Sequence, residues 1–274
     1  MRYVNAVLSG LFDVVMAPFR MESAWPGLCA AALLTAIVVL LLFRIASNPQ
    51  EIRRRRSRLL ARVLELVLFK DDLIVNLSAF GRVLGANGSY LGALLVPFVL
   101  SCLPVTLILV QSHAWFGLRP LLPREVAVVT ARFSPDFKVL EQEVKLSTSA
   151  GLKVETGPVR APSRREISWG LSGTRDASGW VEIVAGGQAQ RKSILVGRVL
   201  GAVSTQRQAA GGWSALLHPR ERALPPGSLL ERVTVAYPER ELSVGGRPVN
   251  WILAFFVLSM AFGLLLKRPI GAEF

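Results

Sequence analysis

Residues 41–58 read LLFRIASNPQEIRRRRSR. An apolar run stops at Arg44, Pro49 follows five residues later, and a block of arginines opens at Arg53. An apolar run closed by such a flank has the stop-transfer pattern of a retained membrane span. A cleaved leader would open on basic residues and close on small ones, whereas about 25 mixed residues precede this run. The flank also sets orientation, because basic residues beside a span end stay on the cytoplasmic side. Residues 44–89 carry nine Lys/Arg against four Asp/Glu, and Arg53, Arg54, Arg55, Arg56 and Arg58 form the densest patch.

The whole chain has 274 residues, 51% of them hydrophobic, and a formal net charge of +13. Such apolar content beside such charge excludes a specific nucleic-acid binder and points to an integral membrane protein. A helix needs about 20 residues to cross the hydrocarbon. Three segments approach that length without a charge, at 26–43, 90–112 and 250–266. The last is short but ends at Lys267 and Arg268, whose stems can reach the interface. The predicted topology places the N-terminus outside, residues 44–89 inside, residues 117–248 outside and the tail 267–274 inside, in the cytoplasmic (inner) membrane. The outer segment 113–250 is basic too, with 19 Lys/Arg against 12 Asp/Glu. Long translocated domains obey the charge rule weakly.

Ahead of the first span, within residues 1–25, Val4, Val7, Leu8, Leu11, Phe12, Val15 and Phe19 recur at helical spacing. This predicts an amphipathic helix on the outer leaflet. Inside, residues 50–69 and 71–85 predict a helical hairpin, with Asp71 or Asp72 capping its second helix. Ala86-Asn87-Gly88-Ser89 is expected to break the helix before the second span. That span holds Pro97 and Pro104, which remove helix hydrogen bonds and predict a bent helix packed in a bundle.

From residue 117 the period changes. Runs at 125–132, 139–146, 152–156, 165–171, 179–186, 191–200 and 231–237 are short, β-branched and divided by Gly, Pro and Ser. They predict an extracytoplasmic all-β sandwich of antiparallel strands. The fold class is therefore a membrane α-helical core of three transmembrane helices and a cytoplasmic helical hairpin, with that outer domain.

Chemistry has little material. Cys29 and Cys102 lie in apolar runs and His113 is far from His218, so no metal, cofactor or disulfide framework is expected. Ser204 and His218 lack a GxSxG elbow and do not make a hydrolase; the chain is not expected to be an enzyme. Arg164-Arg165 and Arg191-Lys192 read as solvated faces, Trp169, Trp180 and Trp213 as core, and Gly186-Gly187 as a turn.

Arg44 admits two readings. At the end of its span it can snorkel to the inner head groups. Held inside a bundle, it would mark a functional cavity. The order of features bears on this choice: an outer amphipathic helix, a span ending in Arg44 with Pro49 five residues on, a basic hairpin, then YLGALLVPFVLSCLPVTLIL with spaced prolines. This order resembles the YidC/Oxa-type membrane-protein insertase superfamily, in its short three-span members, with an added outer β-domain. Arg44 and Pro49 match the family's arginine and proline, and Asn87, Leu91, Gly92, Pro97 and Pro104 loosely match its second-span pattern. The resemblance implies that Arg44 faces a hydrophilic intramembrane groove, with Thr35, Ser101, Thr106 and Gln111 as further groove residues. It implies assistance to insertion or assembly of membrane proteins, with lipids and nascent or client membrane proteins as partners. The alternative is a non-catalytic envelope scaffold, whose spans anchor a β-domain that binds other envelope proteins.

Overall fold

The computed structural model describes residues 2–46, 49–68, 73–174, 177–209, 221 and 223–271. Two compact units divide the chain, Met1–Ala30 with Leu109–Leu253 and Ala31–Ile108 with Ala254–Phe274. Asp71, Asp72, Trp213 and His218 lie outside the described residues.

Five α-helices are described: α1 (Arg2–Met16), α2 (Trp25–Ala46), α3 (Pro49–Leu68), α4 (Leu73–Ser112) and α5 (Trp251–Ile270). Three of them are long and apolar enough to cross a membrane, within Trp25–Ala46, Phe80–Gly117 and Trp251–Ile270. The chain thus has the helices of a membrane protein beside a separate β-region. Pro49 opens α3, where its missing N–H would have had no helical partner anyway.

The expected break at residues 86–89 does not occur, because α4 runs unbroken for 40 residues. At 1.5 Å per residue that is about 60 Å, roughly twice the hydrocarbon thickness. A lone glycine costs a helix only about 1 kcal/mol, and this stretch has no proline to remove a donor. A tertiary contact adds to this: Arg55 of α3 donates to the Ser89 carbonyl at 2.8 Å and to its hydroxyl at 3.2 Å. Pro97 and Pro104 lie inside the helix. The neighbouring hydroxyls turn back by one turn, Ser101 to the Pro97 carbonyl and Thr106 to the Cys102 carbonyl. These are not the carbonyls of Ala93 and Leu100 that the prolines leave without a helical donor.

In the other unit, α1 buries Phe12 and Met16 while Val7, Leu11 and Val14 stay exposed, so both of its sides carry apolar groups. After α4 the chain forms β1 (Val126–Phe133), β2 (Val144–Thr148), β3 (Leu152–Ala161), β4 (Glu166–Gly173), β5 (Ala177–Ala185), β6 (Gln188–Val196), β7 (Gln206–Gln208), β8 (Leu230–Val235), β9 (Leu242–Val244) and β10 (Arg247–Val249). One sheet has the order β3-β4-β1-β8-β7, a second β2-β5-β6, and β9-β10 is a hairpin. Every described pairing between these strands is antiparallel. Strict alternation on β1 turns Ala127, Val129, Ala131 and Phe133 inward. They join Ile167, Trp169 and Leu171 of β4 and Val181, Ile183, Ile194 and Val196 of the other sheet in one core.

The segment after α4 stitches the two sheets together. Leu121 bridges Val196, and Pro123 bridges Gly173. Gly186 and Gly187, at φ +54° and +75°, form the two-residue turn between β5 and β6, which only glycine adopts without strain. The run at 139–146 begins its strand only at Val144. Before that point, Glu141 and Gln142 donate to the Lys138 carbonyl in a turn, and Arg160 binds the Val139 and Gln142 carbonyls. The expected strands leave out β7, β9 and β10, whose three residues are too few to show a period. Asn250 caps α5 by accepting the Ile252 N–H at 2.8 Å.

Two surface readings change. Trp180 is half-buried beneath the Arg191 guanidinium, 4.4 Å from its ring centre, instead of lying in the core. Lys192 is 1% exposed, not solvated. It shares the inward phase of β6 with Ile194 and Val196. Its ammonium donates to the Ser204 carbonyl at 2.6 Å and to Glu221 at 2.5 Å, and the Ser193 hydroxyl donates to the same carboxylate oxygen at 2.5 Å.

Tyr237, nearby, accepts the Leu195 N–H on its hydroxyl. Burial, with a smaller contribution from the Glu221 charge, pushes its phenol up to about 12. Between pH 10 and 12 the folded state therefore holds a proton that the unfolded state has lost. The stability from this group is complete below pH 10 and lost as pH rises through about 12. Ultraviolet titration of the full chain is expected to show one tyrosine ionising about two units late, and Tyr237→Phe to remove that phase.

Candidate functional site

The helical unit carries an open-sided cavity of about 840 Å³, within the size range of ligand sites. Residues 35–43 of α2, 91–106 of α4 and 255–264 of α5 supply its walls, and no charged side chain lines it. Four hydroxyl groups do: Thr35, Ser101, Thr106 and Ser259. Three of them are already spent on their own helices, because Thr35 donates to the Ala31 carbonyl at 2.8 Å and Ser101 and Thr106 bond as above. Satisfied hydroxyls present mainly carbon to the space, so the walls are apolar in effect. Ser259 differs, with its Oγ buried and without a hydrogen-bond partner. Sequence reasoning missed it. Its signal is that it is the only hydroxyl residue in WILAFFVLSMAFGLLLK.

Chemically, such a space accepts an apolar side-chain row or an acyl chain, and its wall holds one buried hydroxyl without a partner. It does not stabilise charge, since neither a counter-ion nor a set of free donors lines it.

The other expected groove residues stand elsewhere. Arg44 does not line the cavity. It is exposed in the last turn of α2 and donates from Nη1 to the Ile270 carbonyl at the end of α5, 3.2 Å away. A cation is favoured there by the helix dipole. Gln111 is buried in the other unit, where its amide donates to the Ser9 hydroxyl of α1 at 3.1 Å. Pro97 is buried within α4, and Pro104 is half-buried. Arg53, Arg54, Arg56 and Arg58 are exposed along α3. Arg55 is half-buried, pairs with Glu51 at 2.8 Å and reaches Ser89.

No family model, curated protein or solved structure matches this chain.

The site therefore rests on its own geometry. Among the described residues no group of three or more His, Cys, Asp or Glu could hold a metal ion. The Ser204 hydroxyl lies 3.4 Å from the Gln206 carbonyl, and its own carbonyl accepts Lys192. Cys29 and Cys102 are free thiols.

Proposed function

We propose that this chain is an insertase-like protein of the cytoplasmic membrane that assists the insertion or assembly of membrane proteins, akin to the short YidC/Oxa-type members. The apolar cavity carries this reading. In lipid, a client helix gains little from apolar contact alone, because acyl chains are equally apolar. A preformed space removes the cost of opening one, and the Ser259 hydroxyl, buried in its wall without a partner, would gain a hydrogen bond from a client group that reaches it, which lipid tails cannot supply. The working element is thus an apolar receptacle, not a hydrophilic groove around Arg44. The exposed arginines of α3 would face the cytoplasm, where they attract anionic head groups and acidic client segments. The β-domain would lie outside, and no catalytic step is assigned.

The test is photo-crosslinking in cells. A benzoylphenylalanine probe replaces Met260, which lines the cavity, or Val257, which is exposed on the same helix and does not. Crosslinks to newly made membrane proteins are expected several-fold more often from position 260, and Ala36→Trp should suppress them. Equal yields from both positions would sink the reading.

A second reading is a scaffold, and the β-domain's own closed core favours it. Full function of that domain when tethered by unrelated spans would select it.

A further inference from the structure

Arg240 lies between β8 and β9, where its segment pairs with the chain just beyond α4. Leu118 bridges Glu239, the Arg119 N–H donates to the Pro238 carbonyl at 3.0 Å, and the Arg240 N–H donates to the Gly117 carbonyl at 3.1 Å. Its backbone is therefore fixed five residues past the end of α4. Its side chain has no such support. Nε and Nη2 are buried without a hydrogen-bond partner among the described residues. Neighbouring carboxylates do not make up the deficit. Glu125 is committed to Arg119 by a two-pronged pair at 2.7 and 2.8 Å and also accepts the Leu122 N–H. Glu241 acts on Arg119 from a distance, and Glu239 and Glu241 are exposed and make no ion pair with Arg240.

This arrangement is costly as it stands. A guanidinium cannot escape burial by losing its proton at any ordinary pH. Burial, and then repulsion from Arg119, both act against its charge. An ion partly withdrawn from water without a counter-ion destabilises the fold that holds it. The two unpaired nitrogens also form one edge of the guanidinium, the fork that grips two oxygens of a planar or tetrahedral oxyanion.

We propose that Arg240 is a binding site for a phosphate-class anion at the end of the β-domain from which α4 and α5 depart. The side chain is only partly buried, so a modest rotation brings the fork to the surface, where the anion supplies the missing partner. If α4 and α5 cross a membrane, this junction lies at head-group level, and a lipid phosphodiester is the abundant anion there. Soluble phosphate shares the chemistry. The site is separate from the cavity and does not depend on the client reading.

The test uses the full chain in a non-ionic maltoside detergent with chloride as the sole anion, and follows thermal unfolding by tryptophan fluorescence. Dioleoylphosphatidylglycerol, or inorganic phosphate at matched ionic strength, is then added. One of them is expected to raise Tm by about 3 °C or more over dioleoylglycerol, which lacks a phosphate, or potassium chloride. A rise with the lipid alone assigns a head group, and an equal rise with phosphate assigns the soluble ion. Arg240→Leu should melt at or above the wild type without the anion and gain nothing from it. Arg198→Gln, at an exposed arginine elsewhere, should keep the gain. Three results would each overturn the site: no rise with either anion, a rise that Arg240→Leu retains, or an Arg240→Leu that melts well below the wild type in chloride.

Discussion

Replacing Glu221 with alanine is expected to destabilise the β-domain by about 3–5 kcal/mol, the cost of leaving one member of a buried ion pair alone. Lys192 is 1% exposed and Glu221 11% exposed at the side chain, so water cannot stand in for the lost carboxylate. The Ser204 and Ser193 carbonyls would remain as neutral acceptors, and they satisfy donors without cancelling charge. Lys192→Met removes the charge and keeps much of the volume. Alone it strands the Glu221 carboxylate and should destabilise too, whereas the double variant with Glu221→Ala holds neither charge and should cost far less than the two single losses together. The pH dependence has a definite sign. Burial holds the Lys192 amine below its ordinary value of 10.5, against the opposing pull of Glu221. The folded state therefore binds fewer protons than the unfolded state below that value, and stability rises as pH climbs toward it. The rise should be steeper in Glu221→Ala, where the opposing pull is gone. Urea unfolding of the full chain in detergent, followed by tryptophan fluorescence at several pH values, measures both effects. A Glu221→Ala protein as stable as the wild type would refute the pair's role.

Gly173→Ala is expected to cost about 3 kcal/mol, the upper part of the range for overpacked cores. A Cβ at this position would lie 2.5 and 2.7 Å from the two Val196 methyl carbons, far inside contact distance. These residues belong to different sheets, so the clash presses the layers apart. Neither side can move freely. The Gly173 carbonyl accepts the Arg124 N–H at 2.6 Å, and its backbone pairs with Leu152 on one flank and Pro123 on the other. Val196 pairs with Ala177 and bridges Leu121. The requirement is spatial and does not arise from a left-handed backbone. Val196→Ala should therefore recover much of the loss in the double variant, although alone it leaves a cavity and costs stability. Absence of coupling in that double-mutant cycle would show that the sheets part easily at this point.

The contrast between these two sites shows how legible the fold was. Gly173 lies two residues past the run predicted at 165–171, at the end of the strand that extends it, and the sequence does not reveal which residue of another sheet faces it. Lys192 was legible in part. Its place two residues before Ile194 in an alternating strand puts it on the inward face, while its charge argues for solvent. The contradiction is settled by Glu221, 29 residues away along the chain. The candidate cavity behaves similarly. Thr35, Ser101 and Thr106 stand out as hydroxyls within apolar runs and do line it, but their bonds to carbonyls one turn back make them apolar in effect. Arg44 and Gln111 look like intramembrane polar groups by position, yet one reaches the end of α5 and the other the Ser9 hydroxyl.

What the amino-acid sequence determined by itself is whatever depends on neighbours along the chain. The three apolar helices follow from length and composition, the longer strands from alternation, the turn at Gly186-Gly187 from glycine's conformational freedom, and the start of α3 from Pro49. Only the tertiary structure decided the burial of Lys192, the placing of Arg44 and Gln111, and the unpartnered hydroxyl of Ser259 in an apolar space. The physical reason is the same in each case. The free energy of a polar or charged group is set by the partner it meets and the water it loses, and both are supplied by residues far away in sequence.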